Sequence, residues 1–162
     1  MAKITLKETT KLQVVLAKLD GQADEICKKA VYAGANVMAD QVRHNLNALP
    51  SDTFRYLRNG EKFKGVPDCQ KQDLLDHFGV TPIKMTRWGD CDAKVGFDGY
   101  GSMETDAYPN GVPIPLLARS VESGSSVRQK TPFVRPAIRQ AREKAKKAMA
   151  DAIDKECEKI MK

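Results

Sequence analysis

Histidine is scarce in this sequence: His44 and His77 are the whole supply among 162 residues. Two imidazoles leave few ways to build a nucleophile–histidine triad, and neither stands at a metal-ligand spacing from another ligand type. Aromatic residues make up 6% of the chain, which is thin for a single-strand nucleic-acid binder that stacks bases on rings. No apolar run approaches the ~18 residues that a membrane-spanning helix needs. The phosphate loop, the dinucleotide fingerprint, the nucleophile elbow and the H-E-x-x-H zinc motif are all missing. GFDGYG (Gly96–Gly101) has irregular glycine spacing and no helix after it. The four cysteines, Cys27, Cys69, Cys91 and Cys157, stand far apart with no C-x-x-C. The opening MAKITLKETTK is polar from its third residue, unlike a secretion signal. Four free thiols in a reducing cytosol are therefore expected.

These absences argue against an enzyme and against any cofactor. Two metal readings remain, both weak. Cys69, His77 and Cys91 could ligate zinc, but their spacing matches no known ligand pattern. Asp90, Asp92 and Asp98 could hold a divalent cation for hydrolysis, yet turn chemistry already explains Asp90 and Asp98.

The chain does have length and charge. Its size fits one domain, spanning 1–162, with a core that needs no metal or disulfide. The net charge is +6 and the isoelectric point about 9.1. That balance permits contact with nucleic acid or with an acidic protein surface.

Residues Lys3 to Lys7 alternate and can be read as a short N-terminal strand. Thr9 or Thr10 caps a first helix through Leu19, which Asp20-Gly21 breaks. A second helix follows over about 22–46. Its two apolar rows are Ile26, Ala30, Ala33, Val37 and Val31, Ala35, Met38, Val42, Leu46, and Gly34 allows close backbone approach. A long loop runs over about 47–68. Cys69 to Phe78 is expected as a short helix capped by Gly79.

Thr81 to Trp88 and Asp92 to Asp98 read as a β-hairpin over about 81–98, turning at Gly89-Asp90. A two-residue loop would set Met85 opposite Lys94 and split the apolar face. An odd loop or a bulge is therefore expected, aligning Ile83 and Met85 with Val95 and Phe97 or Ala93. A second long loop covers about 99–113. Pro115 opens a short helix, Leu116 to Ser123, closed by Gly124. The strap 131–135 is expected to lie extended because Thr131 and Arg135 precede prolines, with Phe133 as its apolar anchor.

The last helix is read over about 136–160. Its inward row is Ala137, Ile138, Ala141, Ala145, Met149, Ala152, Ile153 and Ile160. Cations crowd its first half, and Lys144, Lys146 and Lys147 could meet phosphates or an acidic surface. A solvated outer face explains them equally well. Arg119 and Glu122 could act in protein contact, or form no more than a surface i, i+3 pair.

KVGFDGY (Lys94–Tyr100), YPNG (Tyr108–Gly111), ARSVESGSS (Ala118–Ser126) and TPFVRPAIRQ (Thr131–Gln140) together resemble the tail-completion or neck proteins of long-tailed bacteriophages. These are the head–tail joining, minor tail components. AGANVMADQVRHNL (Ala33–Leu46) resembles the family's first long helix. The resemblance covers most of the chain, in order. Ser125 stands where the family usually has threonine, Ser123 intervenes between Glu122 and the glycine, and the segment between about Leu49 and Pro82 is longer than in compact members.

The resemblance implies an α+β fold, a small antiparallel sheet packed by two long helices, which the periodicities also favour. It also implies a non-enzymatic virion role at the head–tail junction, assembled in the bacterial host cytoplasm, as a homo-oligomeric ring of six-fold order. The partners would be the connector or head-closure protein, the tail terminator and the tail-tube protein, with DNA only as cargo. Tyr108, Asn110, Arg119, Glu122, Phe133 and Arg135 are the expected contact residues. The rival readings are a basic nucleic-acid-binding protein or nuclease accessory, and the aspartate-based hydrolase.

Overall fold

The computed structural model describes residues 6–85 and 90–161. In chain order its elements are α1 (Leu6–Asn47), α2 (Asp68–Asp76), β1 (Phe78–Val80), β2 (Lys84–Met85), β3 (Cys91–Asp92), β4 (Val95–Phe97), α3 (Ile114–Ser123) and α4 (Val134–Met161). The fold is α+β. Long α1 and α4 pack against each other, and two small antiparallel pairs, β1 with β4 and β2 with β3, lie beside them.

The two helices expected over 9–19 and 22–46 are one. α1 is 42 residues long, about 63 Å at ~1.5 Å per residue. Gly21 does not break it. A lone glycine costs a helix only about 1 kcal/mol against alanine, the flanking residues are good helix formers, and no proline intervenes. The strand read over Lys3 to Lys7 falls outside the described residues except at Leu6 and Lys7, which are helical. Pro50 ends the run, and Lys71 Nζ donates to the carbonyls of Asn47 and Leu49, 2.6 and 3.2 Å away. A cation suits these orphan acceptors at a helix C-terminus.

α1 and α4 run antiparallel. Gln41 donates to Gln140, Met149 packs over Gly34, and Lys29 meets Glu156 at 2.7 Å. The seam is narrow because it is built from alanine: Ala30 and Ala39 face Ala137, Ala141 and Ala145, all buried. Ile138 and Ile153, expected inward, are 48% and 40% exposed. They lie off the Ala137–Ala141–Ala145 stripe, and so narrow a seam leaves them outside. Hydrogen bonds from Lys159, then Lys29, hold the Glu156 carboxyl down at about 2. This contribution is complete above the usual carboxylate range and is lost as the pH falls toward 2.

β1 starts three residues earlier than the expected strand, and Gly79 lies inside it rather than capping α2. The pairs are Phe78 with Phe97, Val80 with Val95, and Met85 with Cys91. Five sequence positions separate Met85 from Cys91, an odd number, as the face argument required. Between the two ladders, 81–83 face 93–94, so the first strand carries one extra residue. Val95 and Phe97 therefore meet Val80 and Phe78, not Ile83 and Met85. The Phe78 and Phe97 rings lie 4.9 Å apart, which favours this register. Gly89 of the expected turn lies outside the described residues.

α4 begins at Val134, two residues before the expected start. Arg135 precedes a proline yet is helical, because Pro136 falls in the first turn, where its missing N–H leaves no bond unmade. Phe133 is 1% exposed and meets the Phe97 ring edge-on at 5.9 Å. Phe133→Ala should destabilise the fold by about 3–5 kcal/mol in urea unfolding. A loss below about 1 kcal/mol would mean that this ring is not a core member.

Candidate functional site

Polar side chains with little exposure hold the long connections in place. Glu122, at the end of α3, is 9% exposed. Its Oε2 accepts from the amides of Phe133 and Val134 at 2.8 and 2.9 Å, and its Oε1 from Arg135 at 3.1 Å. Those amides begin α4, where a helix presents unpaired donors and partial positive charge. Arg135 Nε is the nearest cation, 3.8 Å from Oε1. Gly124 lets the chain leave α3 at φ +80°, with the Lys130 backbone 3.0 Å from where a Cβ would sit.

Arg128 holds loop 48–67. It is 4% exposed, donates to the Gly65 carbonyl at 2.9 Å and to Gln70 Oε1, and lies over the Phe63 ring at 5.5 Å. Burial lowers its pKa, with the Asp52 charge opposing. The Phe63 amide donates to the Val127 carbonyl, and the Gln129 amide to the Phe63 carbonyl, at 2.9 Å each. Asp73 holds loop 98–113: Oδ2 accepts from the Ser102 amide and hydroxyl, both at 3.0 Å. That loop is a short ribbon. Gly101 and Val112 donate to the carbonyls of Val112 and Met103, while Thr105 and Tyr108 exchange backbone bonds at the tip. At Gly111, φ +94°, a Cβ would lie 2.1 Å from the Gly101 carbonyl oxygen, so only glycine fits.

The loops carry aromatic residues outward all the same. Phe54, Tyr56 and Tyr100 are 55%, 101% and 60% exposed. A groove of about 580 Å³ opens between α1, the β1–β4 pair, the end of α3 and the start of α4. Its apolar lining includes Met38, Val42, Phe97, Val134 and Ile138, beside Arg119 and Arg135.

The expected contact residues separate into three groups. Tyr108 and Asn110 are exposed on the ribbon. Arg119 and Arg135 are exposed at the groove. Glu122 and Phe133 are turned inward, each used within its own chain. Arg119 does not pair with Glu122; the buried carboxylate meets backbone amides instead. Lys144, Lys146 and Lys147 are exposed on α4, with Lys146 3.0 Å from Glu143. Sequence reasoning missed Asp73 and Arg128, although a lone Arg beside the GSS break was visible.

Among the described residues, no three of His, Cys, Asp and Glu come together. Neither Cys69–His77–Cys91 nor Asp90–Asp92–Asp98 forms a cluster. His77 Nδ1 lies 3.0 Å from the Asp73 carbonyl oxygen. No described helix is long and apolar enough to cross a membrane. All four cysteines are free thiols. Cys91 shares a hydrogen bond with Cys27, which with burial pushes its pKa up to about 11; Met85 Sδ is 3.0 Å away. No protein-family model, curated protein or solved structure matches the chain.

Two measurements check this anatomy. Glu122→Ala should lose about 2–4 kcal/mol in urea unfolding, since three amides lose a charged acceptor. Arg119→Ala should stay within about 0.5 kcal/mol of the parent. Equal losses would contradict the inward role of Glu122. Alkylation mapped by mass spectrometry should label exposed Cys69 well before Cys91. With its thiol pushed up to about 11, the Cys91 rate should still be rising with pH through 9.5. A rate that levels off near pH 9, the ordinary thiol range, would count against the thiol pair.

Proposed function

We propose that this chain is a non-enzymatic structural protein of the phage head–tail junction, a tail-completion or neck component that works through ring-forming contacts between copies. It would assemble in the bacterial host cytoplasm and reside in the virion neck or tail. Its partners would be the connector or head-closure protein, the tail terminator and the tail-tube protein, with DNA passing only as cargo. The ordered resemblance from Ala33 to Gln140 supports this reading.

One structural observation carries it further. Loops 48–67 and 98–113 are tied to the body by buried polar side chains, yet they hold Tyr56, Tyr100 and Tyr108 toward solvent. Exposed tyrosines on internally fixed loops suit a surface that a neighbour covers, since interfaces are enriched in aromatic residues. A contact between two different surfaces of one chain closes into a ring or runs on as a filament, and a ring suits a junction.

The competing reading is a nucleic-acid binder. It draws on α4, where Arg139, Arg142, Lys144 and Lys147 are exposed and have no ion pair among the described residues. The two readings separate in solution. For a ring, sedimentation velocity of the purified chain should give a discrete oligomer whose population grows with concentration, and the chain should be detected in purified virions. A strict monomer that is absent from virions would overturn it. The rival requires DNA affinity that falls steeply with salt and drops when Lys144, Lys146 and Lys147 are neutralised together.

A further inference from the structure

Charge is unevenly divided on this molecule. Residues 95–118 contain Asp98, Glu104 and Asp106 and no lysine or arginine, in a chain of net charge +6. Glu104 and Asp106 are exposed at the ribbon tip and have no ion pair among the described residues. The tip is already shaped. The Tyr108 amide donates to the Thr105 carbonyl and hydroxyl at 2.9 and 3.1 Å, and the Thr105 amide donates back to the Tyr108 carbonyl. This closes a tight turn that holds both carboxylates and the Tyr108 ring in one knob.

The groove has the opposite character. Its apolar lining is bare enough that Ile138 is 48% exposed. Its cations are Arg119 and Arg135, and Arg142 continues the line one helical turn beyond Ile138. Arg119 and Arg142 are exposed and unpaired among the described residues. Glu122 also lines the groove, but its oxygens are engaged by three amides. No residue of the ribbon lines the groove of its own chain, so knob and groove are separate surfaces.

We propose that the ribbon tip of one copy, Met103–Tyr108, seats in the groove of the next copy. Tyr108 would cover the apolar lining, with Glu104 and Asp106 against Arg119 and Arg142. This deepens the ring reading above, and rests on it, by naming the surfaces that meet. Opposite charges on an otherwise cationic chain steer knob to groove and disfavour groove to groove. The tip's own hydrogen bonds reduce the ordering cost of docking.

Charge reversal tests the contact. Glu104→Lys with Asp106→Lys, and separately Arg119→Glu with Arg142→Glu, should each weaken self-association on the order of tenfold or more in sedimentation equilibrium. All four changes in one chain restore complementarity and should return association to within about threefold of the parent. Circular dichroism and urea midpoints check that each variant is folded. Asp106→Asn with Arg119→Gln reads the same contact in smaller steps if a reversal does not fold. A parent that assembles but ignores both reversals, or a fourfold variant no better than either double, overturns this contact while leaving the ring reading in place; another segment of the neighbour then fills the groove. A parent that is monomeric at every concentration overturns this contact, and one that is also absent from virions overturns the ring reading with it.

Discussion

The carboxylate of Glu122 is the constraint from which the C-terminal half follows. A long helix exposes unpaired amides at its start, and burying that end without acceptors costs more than the burial returns. Here the accounting closes. Glu122 takes the amides of Phe133, Val134 and Arg135, Pro136 has none, and Ala137 donates to the Phe133 carbonyl. The residue that provides the acceptor sits one residue from the end of a different helix. The same three bonds therefore fix α3 against α4, drop Phe133 into the core and set one wall of the groove.

The other long connections obey the same logic with different chemistry. Asp73 supplies an acceptor to the amide and hydroxyl of Ser102, Arg128 supplies donors to Gly65 and Gln70, and Lys71 donates to the last carbonyls of α1. Asp73 and Lys71 do this from α2, and Arg128 from the connection between α3 and α4, each meeting backbone groups that a loop or helix end leaves unsatisfied. Such contacts fix the bases of the loops and leave Tyr56 and the ribbon tip with Tyr108 toward solvent, while Tyr100 is exposed at the ribbon base. Rigidity at the base and apolar surface at the tip are complementary requirements for a part that is to be assembled with others.

What the sequence made legible was largely what is local. The apolar periodicity found both long helices, Gly124 marked the end of α3, and the opposition of Met85 to Lys94 in a two-residue hairpin gave the odd spacing. The misses have physical causes. Asp20-Gly21 resembles a turn, but a single glycine is too small a penalty to interrupt 42 residues of helix-forming sequence. Gly79 looks like a cap, but the Phe78–Phe97 ring pair draws it into a strand. Arg119 and Glu122 look like a surface pair at i, i+3, and no local rule reveals that the carboxylate turns toward amides 11 to 13 residues away. Of the site, Tyr108, Asn110, Arg119 and Arg135 were readable as outward residues. The anchors Asp73 and Arg128 were not, because their partners are 29 and 63 positions distant in sequence.

The charge distribution bears on how the two readings of the basic helix relate. Electrostatic attraction to a phosphate polymer calls only for a basic face, and sets no requirement on the charge or apolar character of the surfaces around it. The chain instead keeps a cation-free segment around an outward aromatic, and places its exposed arginines beside an apolar groove as well as along α4. Local complementarity of this kind is a device of specific docking, where an acidic tip must find one groove among many cationic surfaces. Lysines farther along α4, beyond the groove at Lys144, Lys146 and Lys147, would then remain available to solvent, to an acidic neighbour or to DNA after the copies have joined. Contact between copies and contact with a polyanion would thus draw on different parts of the same helix, so the second would not compete with the first.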